Sequence, residues 1–257
     1  MSFDADLNAC AALVEKADPD RFAAAMASPV AARAVLFSLY AFNVEVSRAP
    51  WVTQEPMIAE MRLQWWRDAV EEIEKSKPVR RHEVVTPLSD VLSADLAPLL
   101  DRLVAARRWD IYKDPFEDAA HFERYVQQTA GNLMWAAARA LGAAPNPETE
   151  KQVRALGYAH GLSRFLLAVP ALEAQKRIPL VDGRAEAIAA LAKSALDASP
   201  TRAAVRKALG SQARAAVTEA FLARSILEQA VANPQLVAQG ALRVAPVKRS
   251  FLLWRWA

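Results

Sequence analysis

The chain has 257 residues, of which 53% are hydrophobic and 24% charged, and this composition excludes a disordered protein. The formal net charge of +3 comes from scattered basic residues, so nucleic acid is not an expected partner. The one cysteine, Cys10, excludes an internal disulfide framework, and no uninterrupted apolar run is long enough to cross a bilayer.

The N-terminus carries Asp4 and Asp6 before its first lysine, which is unlike a secretory signal or an Arg-rich transit peptide. Together with the single thiol, this predicts a cytoplasmic protein in a reducing compartment. The length allows a sizeable core, and we expect residues 1–257 to form a single domain.

Helical periodicity runs along the chain without convincing period-two alternation, which predicts an all-α bundle. Residues 30–49 are nearly all apolar behind Pro29 and are expected to form a core helix. The next helix is expected after Pro56, with apolar residues recurring every fourth position as one buried face. These residues are Met61, Trp65, Ala69 and Ile73.

Four more helical stretches are predicted in the rest of the chain. They cover residues 88–108, 121–141, 148–169 and 185–231. Pro170 is expected to end the third stretch, because proline inside a helix removes a hydrogen bond and clashes with the preceding turn.

The C-terminal tail mixes cations with aromatic and aliphatic residues. Its members are Arg243, Lys248, Arg249, Phe251, Leu252, Leu253, Trp254, Arg255 and Trp256. Two interpretations stay open: a closing helix that packs its aromatic face on the bundle, or a peripheral contact with a membrane interface.

Two neighbouring segments carry a family resemblance. LYAFNVEVSRAPW at 39–51, followed by MRLQWWRDAVEEI at 61–73, resembles the squalene and phytoene synthase family, whose first motif reads approximately YAFCRxxDDxxD and precedes RLxxWR. DPDRF at 18–22, YVQQTAG at 125–131 and KRIPL at 176–180 agree with further family elements in the same order. The resemblance implies an isoprenoid-synthase-type helical bundle with a central apolar cavity.

The chemistry of that family ionises an allylic diphosphate and joins two prenyl chains head to head. The departing diphosphate needs magnesium ions held by oxygen ligands. Carboxylates four residues apart share a helix face, so two such helices can grip the ions from opposite sides.

In this chain both acidic motifs are replaced. The arginine and the acids of the first motif correspond to Val44, Ser47, Arg48 and Trp51. The matching positions of the second motif are Gly161, Arg164, Ala168, Ala171 and Leu172. Glu173 is the next acid, but it follows Pro170. We therefore predict no catalytic residue, no metal site and no cofactor, since the charge of the leaving group would not be neutralised.

Some features of a binding pocket are retained. The candidates for pocket or anion-binding residues are Tyr40, Arg62, Trp66 and Arg67, and further candidate walls are Leu39, Phe42, Trp65, Met134 and Phe165. The alternative for the two α-helical arginines is ordinary ion pairing, as between Arg67 and Glu71. Arg48 and Arg164 either hold a diphosphate without metal or pair with a local acid such as Glu45.

The retained LYAFNVE and RLQWW, with the acids gone, are similar to the branch of the family that contains the mitochondrial complex I assembly factors and their bacterial relatives. This resemblance implies an assembly factor with a protein partner, acting at the inner face of the inner membrane. The alternatives are an active head-to-head prenyl transferase that uses magnesium, and a module that binds a prenyl lipid. The separated His82, His121 and His160 are expected to be ordinary histidines.

Overall fold

A computed structural model describes residues 5–257, which contain fourteen α-helices and no β-strand. The helices are α1 (Ala5–Ala17), α2 (Pro19–Met26), α3 (Val30–Arg48), α4 (Pro56–Glu74), α5 (Val85–Val91), α6 (Ala97–Ala106), α7 (Ala119–Val126), α8 (Asn132–Ala140), α9 (Pro147–Ala174), α10 (Ala185–Ala198), α11 (Arg202–Ala208), α12 (Ala223–Ala232), α13 (Gln235–Ala238) and α14 (Pro246–Trp256). A π-helical segment, Gln127–Gly131, joins α7 to α8, and a long 3-10 segment, Ala213–Leu222, precedes α12. The all-α prediction is confirmed.

The helix α3 forms the centre of the bundle. Pro29 precedes it, and most of its side chains are buried against α1, α2, α5 and α8. Its length and composition alone would suffice to span a membrane, but 67% of the qualifying window is buried inside the protein. Arg33 and Glu45 interrupt the helix, so it is not an uninterrupted apolar run, and burial in the core explains why the rest of it is so apolar.

The buried face of α4 differs from the predicted one. Its buried residues are Ala59, Leu63, Trp66, Ala69, Val70 and Ile73. Met61 is 67% exposed and Trp65 is only partly buried, so the prediction is wrong for these two residues. A spacing of four drifts around a helix of 3.6 residues per turn, whereas alternating steps of three and four follow the face that meets the core.

The helix α9 continues through Pro170 to Ala174, so the predicted stop is wrong. Asn146 caps its first turn by accepting hydrogen bonds from the backbone of Glu148 and Thr149, both at 3.0 Å. A proline inside a helix costs about 3 kcal/mol. Leu166 and Val169, in the turn before Pro170, are buried. Their burial offsets part of that cost and holds the last turn of α9 against the bundle.

Two glycines let α9 approach the π-helical segment closely. A Cβ atom on Gly157 would lie 2.9 Å from the Cα of Gly131, and one on Gly161 would lie 2.5 Å from the Cβ of Ala130. Side chains at these positions would force the two segments apart. The glycines therefore set the distance between α9 and the segment that forms one end of the cavity described below.

Candidate functional site

A cavity of about 490 Å³ lies between α3 and α9. All the positions assigned to the two family motifs line it: Val44, Ser47, Arg48, Trp51, Gly161, Arg164, Ala168, Ala171 and Leu172. The structure therefore brings the two motif segments, more than a hundred residues apart in sequence, to opposite walls of one space. Their interpretation as a former metal site stays a prediction.

The α3 wall presents no carboxylate to the cavity. The Ser47 hydroxyl donates a hydrogen bond to the backbone oxygen of Val44 at 2.9 Å, and Trp51 lies under the guanidinium of Arg177 at 4.7 Å. Arg48 pairs with Glu45 at 3.2 Å. Glu45 itself lines a neighbouring groove and not this cavity. Of the two roles left open for Arg48, the structure places it in the local ion pair.

The α9 wall is cationic at one point and apolar beyond it. Arg164 pairs with Asp20 at 3.0 Å and approaches Asp18 at 3.5 Å. Ala168 and Leu172 continue the wall without a polar group. Gly161 offers no room for the longer side chain that the family pattern has there, because even a Cβ meets Ala130.

The floor of the cavity contains a buried cluster of charges. Arg21 donates a hydrogen bond to Glu219 from the 3-10 segment and lies 3.4 Å from Asp18. Its guanidinium also sits over the ring of Tyr40, 5.4 Å from the centroid. His160 Nε2 lies 3.5 Å from Glu219, although neither ring nitrogen makes a hydrogen bond within the described residues. This cluster ties α2, α3, α9 and the 3-10 segment together.

Burial and mutual attraction set the protonation of this cluster. Burial raises the pKa of the Glu219 carboxyl, and the neighbouring Arg21 only partly opposes that rise. Burial disfavours the charged form of Arg21, but Glu219 and Asp18 outweigh it and the pKa of Arg21 is raised. Burial, reinforced by Arg21 and Arg164, lowers the pKa of His160 well below its ordinary value. Arg21 is thus charged and His160 neutral, and the Arg21 guanidinium is the neighbour that favours the ionised form of Glu219.

A second buried cluster lies across the cavity. Tyr125 donates a hydrogen bond to Asp110 at 3.0 Å, and Arg107 contacts both, at 2.9 Å from the Tyr125 oxygen and 3.2 Å from Asp110. Arg177 donates to the backbone oxygen of Asp110. Burial raises the pKa of Asp110, and Arg107 and Tyr125 limit the rise. Each charged group of this cluster already has a partner.

The residues at the cavity do not fit a magnesium–diphosphate site. Magnesium prefers carboxylate oxygens with free lone pairs facing a common point. The nearby carboxylates, Asp18, Asp20, Asp110 and Glu219, are each held by arginine. Among residues 5–257, no three histidine, cysteine or acidic side chains lie together in a way that could hold a metal ion.

The predicted pocket residues lie outside this cavity. Tyr40 is fully buried behind the floor, and Arg62 and Trp66 line a separate groove of about 560 Å³ on α4. Arg67 pairs with Asp101 at 2.7 Å, which corrects the expected pairing with Glu71. Leu39, Phe42, Trp65 and Met134 also lie elsewhere. Of the candidate walls only Phe165 lines the cavity, because the other side chains point along helix faces that pack into the core or onto α4.

Sequence reasoning missed the charged floor. DPDRF and YVQQTAG were recognised as family elements, and they contain Asp18, Arg21 and Tyr125, but no role was attached to them. Glu219 gives no local signal, since it sits in an alanine-rich stretch and its partner Arg21 is 198 residues away. His160 was expected to be an ordinary surface or core histidine, and it is buried in the core, where it lies inside this cluster.

Comparisons with known proteins agree with the motifs. The family model of squalene/phytoene synthases matches residues 14–247. A Drosophila melanogaster protein named NADH dehydrogenase (ubiquinone) complex I, assembly factor 6 homolog is 30% identical over 182 residues, which cover 67% of this chain and 53% of that protein. The Homo sapiens assembly factor 6 is 25% identical over 63% of this chain and 48% of its own length. The chain therefore spans about half the length of these curated relatives.

Two solved structures share the fold. A dehydrosqualene synthase in complex with ligand superposes with a TM-score of 0.78 at 17% identity, covering 98% of this chain and 95% of that one. The squalene synthase HpnC from Alicyclobacillus acidocaldarius gives a TM-score of 0.70 at 15% identity, covering 93% and 95%. At these identities the likeness establishes the isoprenoid-synthase-type helical fold and nothing about activity.

Proposed function

The chain belongs to the squalene/phytoene synthase family, and from this premise we propose that it is a non-catalytic member that acts as an assembly factor for respiratory complex I. Its curated relatives carry the name of complex I assembly factor 6. The proposed partner is accordingly a protein, a subunit or assembly intermediate of an NADH dehydrogenase. We propose the inner face of the inner membrane as the place of action.

One observation carries the non-catalytic part of the proposal: the cavity walls bear alanine, leucine, serine, tryptophan and arginine where the chemistry needs opposed carboxylates. Departure of diphosphate requires that its developing charge be neutralised. The two arginines at the walls, Arg48 and Arg164, are engaged with Glu45 and with Asp18 and Asp20. They support the packing of the cavity rim better than they support metal-free binding of a diphosphate.

Deletion of the gene in its own host tests the proposal directly. We expect native gels stained for NADH dehydrogenase activity to lose most of the assembled complex I, and the wild-type gene to restore it. A variant changed only at motif positions is the matched control. Ser47→Ala with Arg48→Ala should restore assembly as well as the wild-type gene, because the proposed role requires no chemistry at these positions. Normal complex I in the deletion strain would overturn the proposed role.

An active prenyl transferase is the main alternative. Purified protein incubated with farnesyl or geranylgeranyl diphosphate and magnesium is expected to release no diphosphate above the background without protein. Turnover that disappears when magnesium is chelated would contradict the non-catalytic proposal, whatever the result of the deletion.

The apolar part of the cavity favours a second candidate, a module that binds a prenyl lipid. Trp51, Phe165, Ala168 and Leu172 are apolar residues that line the same cavity as the charged floor. Native mass spectrometry of protein purified from its own host would detect a bound lipid as an added mass. A Phe165→Asp variant should lose that mass, whereas detection of the unliganded chain alone would contradict lipid binding.

A further inference from the structure

The outward face of α14 is apolar and aromatic. Val247, Phe251 and Trp254 are 84%, 53% and 75% exposed. They are spaced four and three residues apart, so they form one stripe along the helix. The rings of Phe251 and Trp254 lie 6.1 Å apart. Of the two interpretations of the tail, packing on the bundle therefore applies only to the opposite face of α14.

That opposite face fastens α14 to the bundle. Arg249 pairs with Asp20 at 2.7 Å. Trp256 packs against the hydrophobic core cluster that contains the buried residues of α3. Arg206 donates hydrogen bonds to the backbone oxygens of Trp256 and Ala257 at the end of the helix. The inward contacts hold the helix in one orientation, and the aromatic stripe is presented to the outside.

A basic groove of about 570 Å³ runs beside this stripe. Its cations are Arg202, Arg224, Lys248 and Arg255, and its floor is apolar, formed by Phe221, Leu252 and Trp256. Glu228 is the acid in this lining, and it pairs with Arg224 at 3.3 Å. Within residues 5–257, the other three cations form no ion pair, and the Nε of Arg202 is buried without a hydrogen bond.

Further positive charge stands behind the groove. Burial, together with repulsion from Arg202 and Arg214, lowers the pKa of Arg206. Neighbouring guanidinium groups destabilise one another unless an anion offsets them. The groove therefore has the charge of an anion site and, at the Nε of Arg202, a buried donor without a hydrogen-bond partner.

We propose that α14 and this basic groove form a docking surface for an anionic phospholipid bilayer, with lipid phosphate in the groove and the aromatic stripe at the headgroup level. Aromatic side chains favour the depth where hydrocarbon meets headgroups, and flanking lysine and arginine meet the phosphates. Charge complementarity selects an anionic leaflet, since each cation near such a surface adds to the attraction.

This docking surface stands on α14 and the groove and does not depend on the proposed role in assembly. Binding of the purified chain to vesicles and complex I assembly in cells are separate measurements. A failure of one leaves the other standing, so the two proposals can be distinguished.

Co-sedimentation with vesicles tests the proposal. The purified chain is mixed with vesicles of phosphatidylcholine alone, or of phosphatidylcholine with a third of phosphatidylglycerol. We expect binding to the anionic vesicles to be at least about tenfold stronger and to weaken as salt is added. Equal binding to both compositions, or binding to neither, would overturn the proposal, the latter in favour of a protein partner for this face.

Two pairs of variants locate the surface. Lys248→Glu with Arg255→Glu should lower the affinity for anionic vesicles about tenfold or more, while Lys77→Glu with Lys113→Glu makes the same change in net charge elsewhere and should have a smaller effect. Phe251→Ala with Val247→Ala should weaken binding in the same way. Met57→Ala with Met61→Ala removes exposed apolar side chains from α4 and is the matched control.

A spectroscopic measurement guards against a folding artefact. Bilayers with brominated acyl chains quench tryptophan that enters the interface, and Trp254→Phe should remove most of the quenching while circular dichroism and vesicle binding are retained. Unchanged quenching in Trp254→Phe, or equal losses of binding in the α14 variants and their controls, would show that α14 is not the docking helix.

Discussion

The floor of the cavity and the outer surface of α14 use arginine in opposite ways. Around the cavity, Arg21 at the floor is buried and Arg107 across from it is half-buried, and each is held by a carboxylate, Glu219 or Asp110. On the α14 side, Arg202 and Arg255 share a groove without an ion-pair partner in the described part of the chain. Both regions contain arginines, but only the second has charge left to offer to a ligand.

This difference separates structural charge from binding charge. A buried ion pair joins elements that are distant in sequence, and removal of one partner leaves an uncompensated charge in the interior. An exposed cation without a partner contributes little to stability, so its substitution should affect binding and leave the fold intact. Four measurements of stability can break or sharpen this division.

The largest effect is expected at Glu219. The substitution Glu219→Leu removes the main partner of the buried Arg21 and should lower the free energy of unfolding by about 3–5 kcal/mol. Denaturant unfolding followed by circular dichroism measures it. Combining it with Arg21→Met should recover much of the loss, and Glu228→Leu at the exposed groove should cost less than about 1 kcal/mol. Equal losses at Glu219 and Glu228 would remove the distinction between the two regions.

The close approach of α9 gives the next effect. A methyl group at Gly161 meets Ala130 at 2.5 Å, so Gly161→Ala should destabilise the protein by about 1–3 kcal/mol through overpacking. Gly210 has nothing within 4 Å of its added Cβ, and Gly210→Ala is the control that should be nearly neutral. A stable Gly161→Ala variant would mean that the π-helical segment yields easily and that this wall of the cavity is soft.

His160 makes the stability of the floor depend on pH. Its pKa is lowered in the folded state, so below about pH 6.5 the unfolded chain binds a proton that the folded chain does not. Stability from the neutral imidazole is therefore lost as the pH falls from 6.5, by at most about 1.4 kcal/mol per pH unit.

The difference between wild type and His160→Gln isolates this effect, because the opposite contribution of Glu219, whose pKa is raised, is common to both proteins. Unfolding free energies at pH 7.5, 6.5 and 5.5 should converge between the two as the pH falls. Parallel curves for His160→Gln and wild type would show that the pKa of the His160 imidazole is the same in the folded and unfolded states.

The smallest effect concerns the surface pair Arg67–Asp101, which is bidentate but partly exposed. A double-mutant cycle with alanine at both positions should give a coupling of about 0.2–1 kcal/mol. The same cycle on Arg67 and Glu71 should give almost none, because Glu71 pairs with Lys75. A larger coupling to Glu71 would restore the pairing predicted from the helical spacing.

The sequence predicted the fold class, but not the ends and faces of individual helices. That the assigned motif positions line one cavity is an observation of the structure. Periodicity and motif order are local properties, so they survive without knowledge of packing. Pro170 was expected to end α9, and Met61 was expected to be buried in α4. The first error arises because tertiary contacts hold the last turn of α9 against the local rule. The second arises because a strict spacing of four drifts off the buried face of α4.

By itself, the amino-acid sequence determined that this chain is all α-helical, that it resembles squalene and phytoene synthases, and that the positions assigned to the two acidic motifs hold no acid. Only the tertiary structure decided which charged groups are paired in the interior and which remain available to a ligand at the surface. Arg21 and Glu219 are 198 residues apart, and no spacing rule connects them. Ion pairing depends on distance and burial in three dimensions, and the linear sequence specifies neither for residues on different helices.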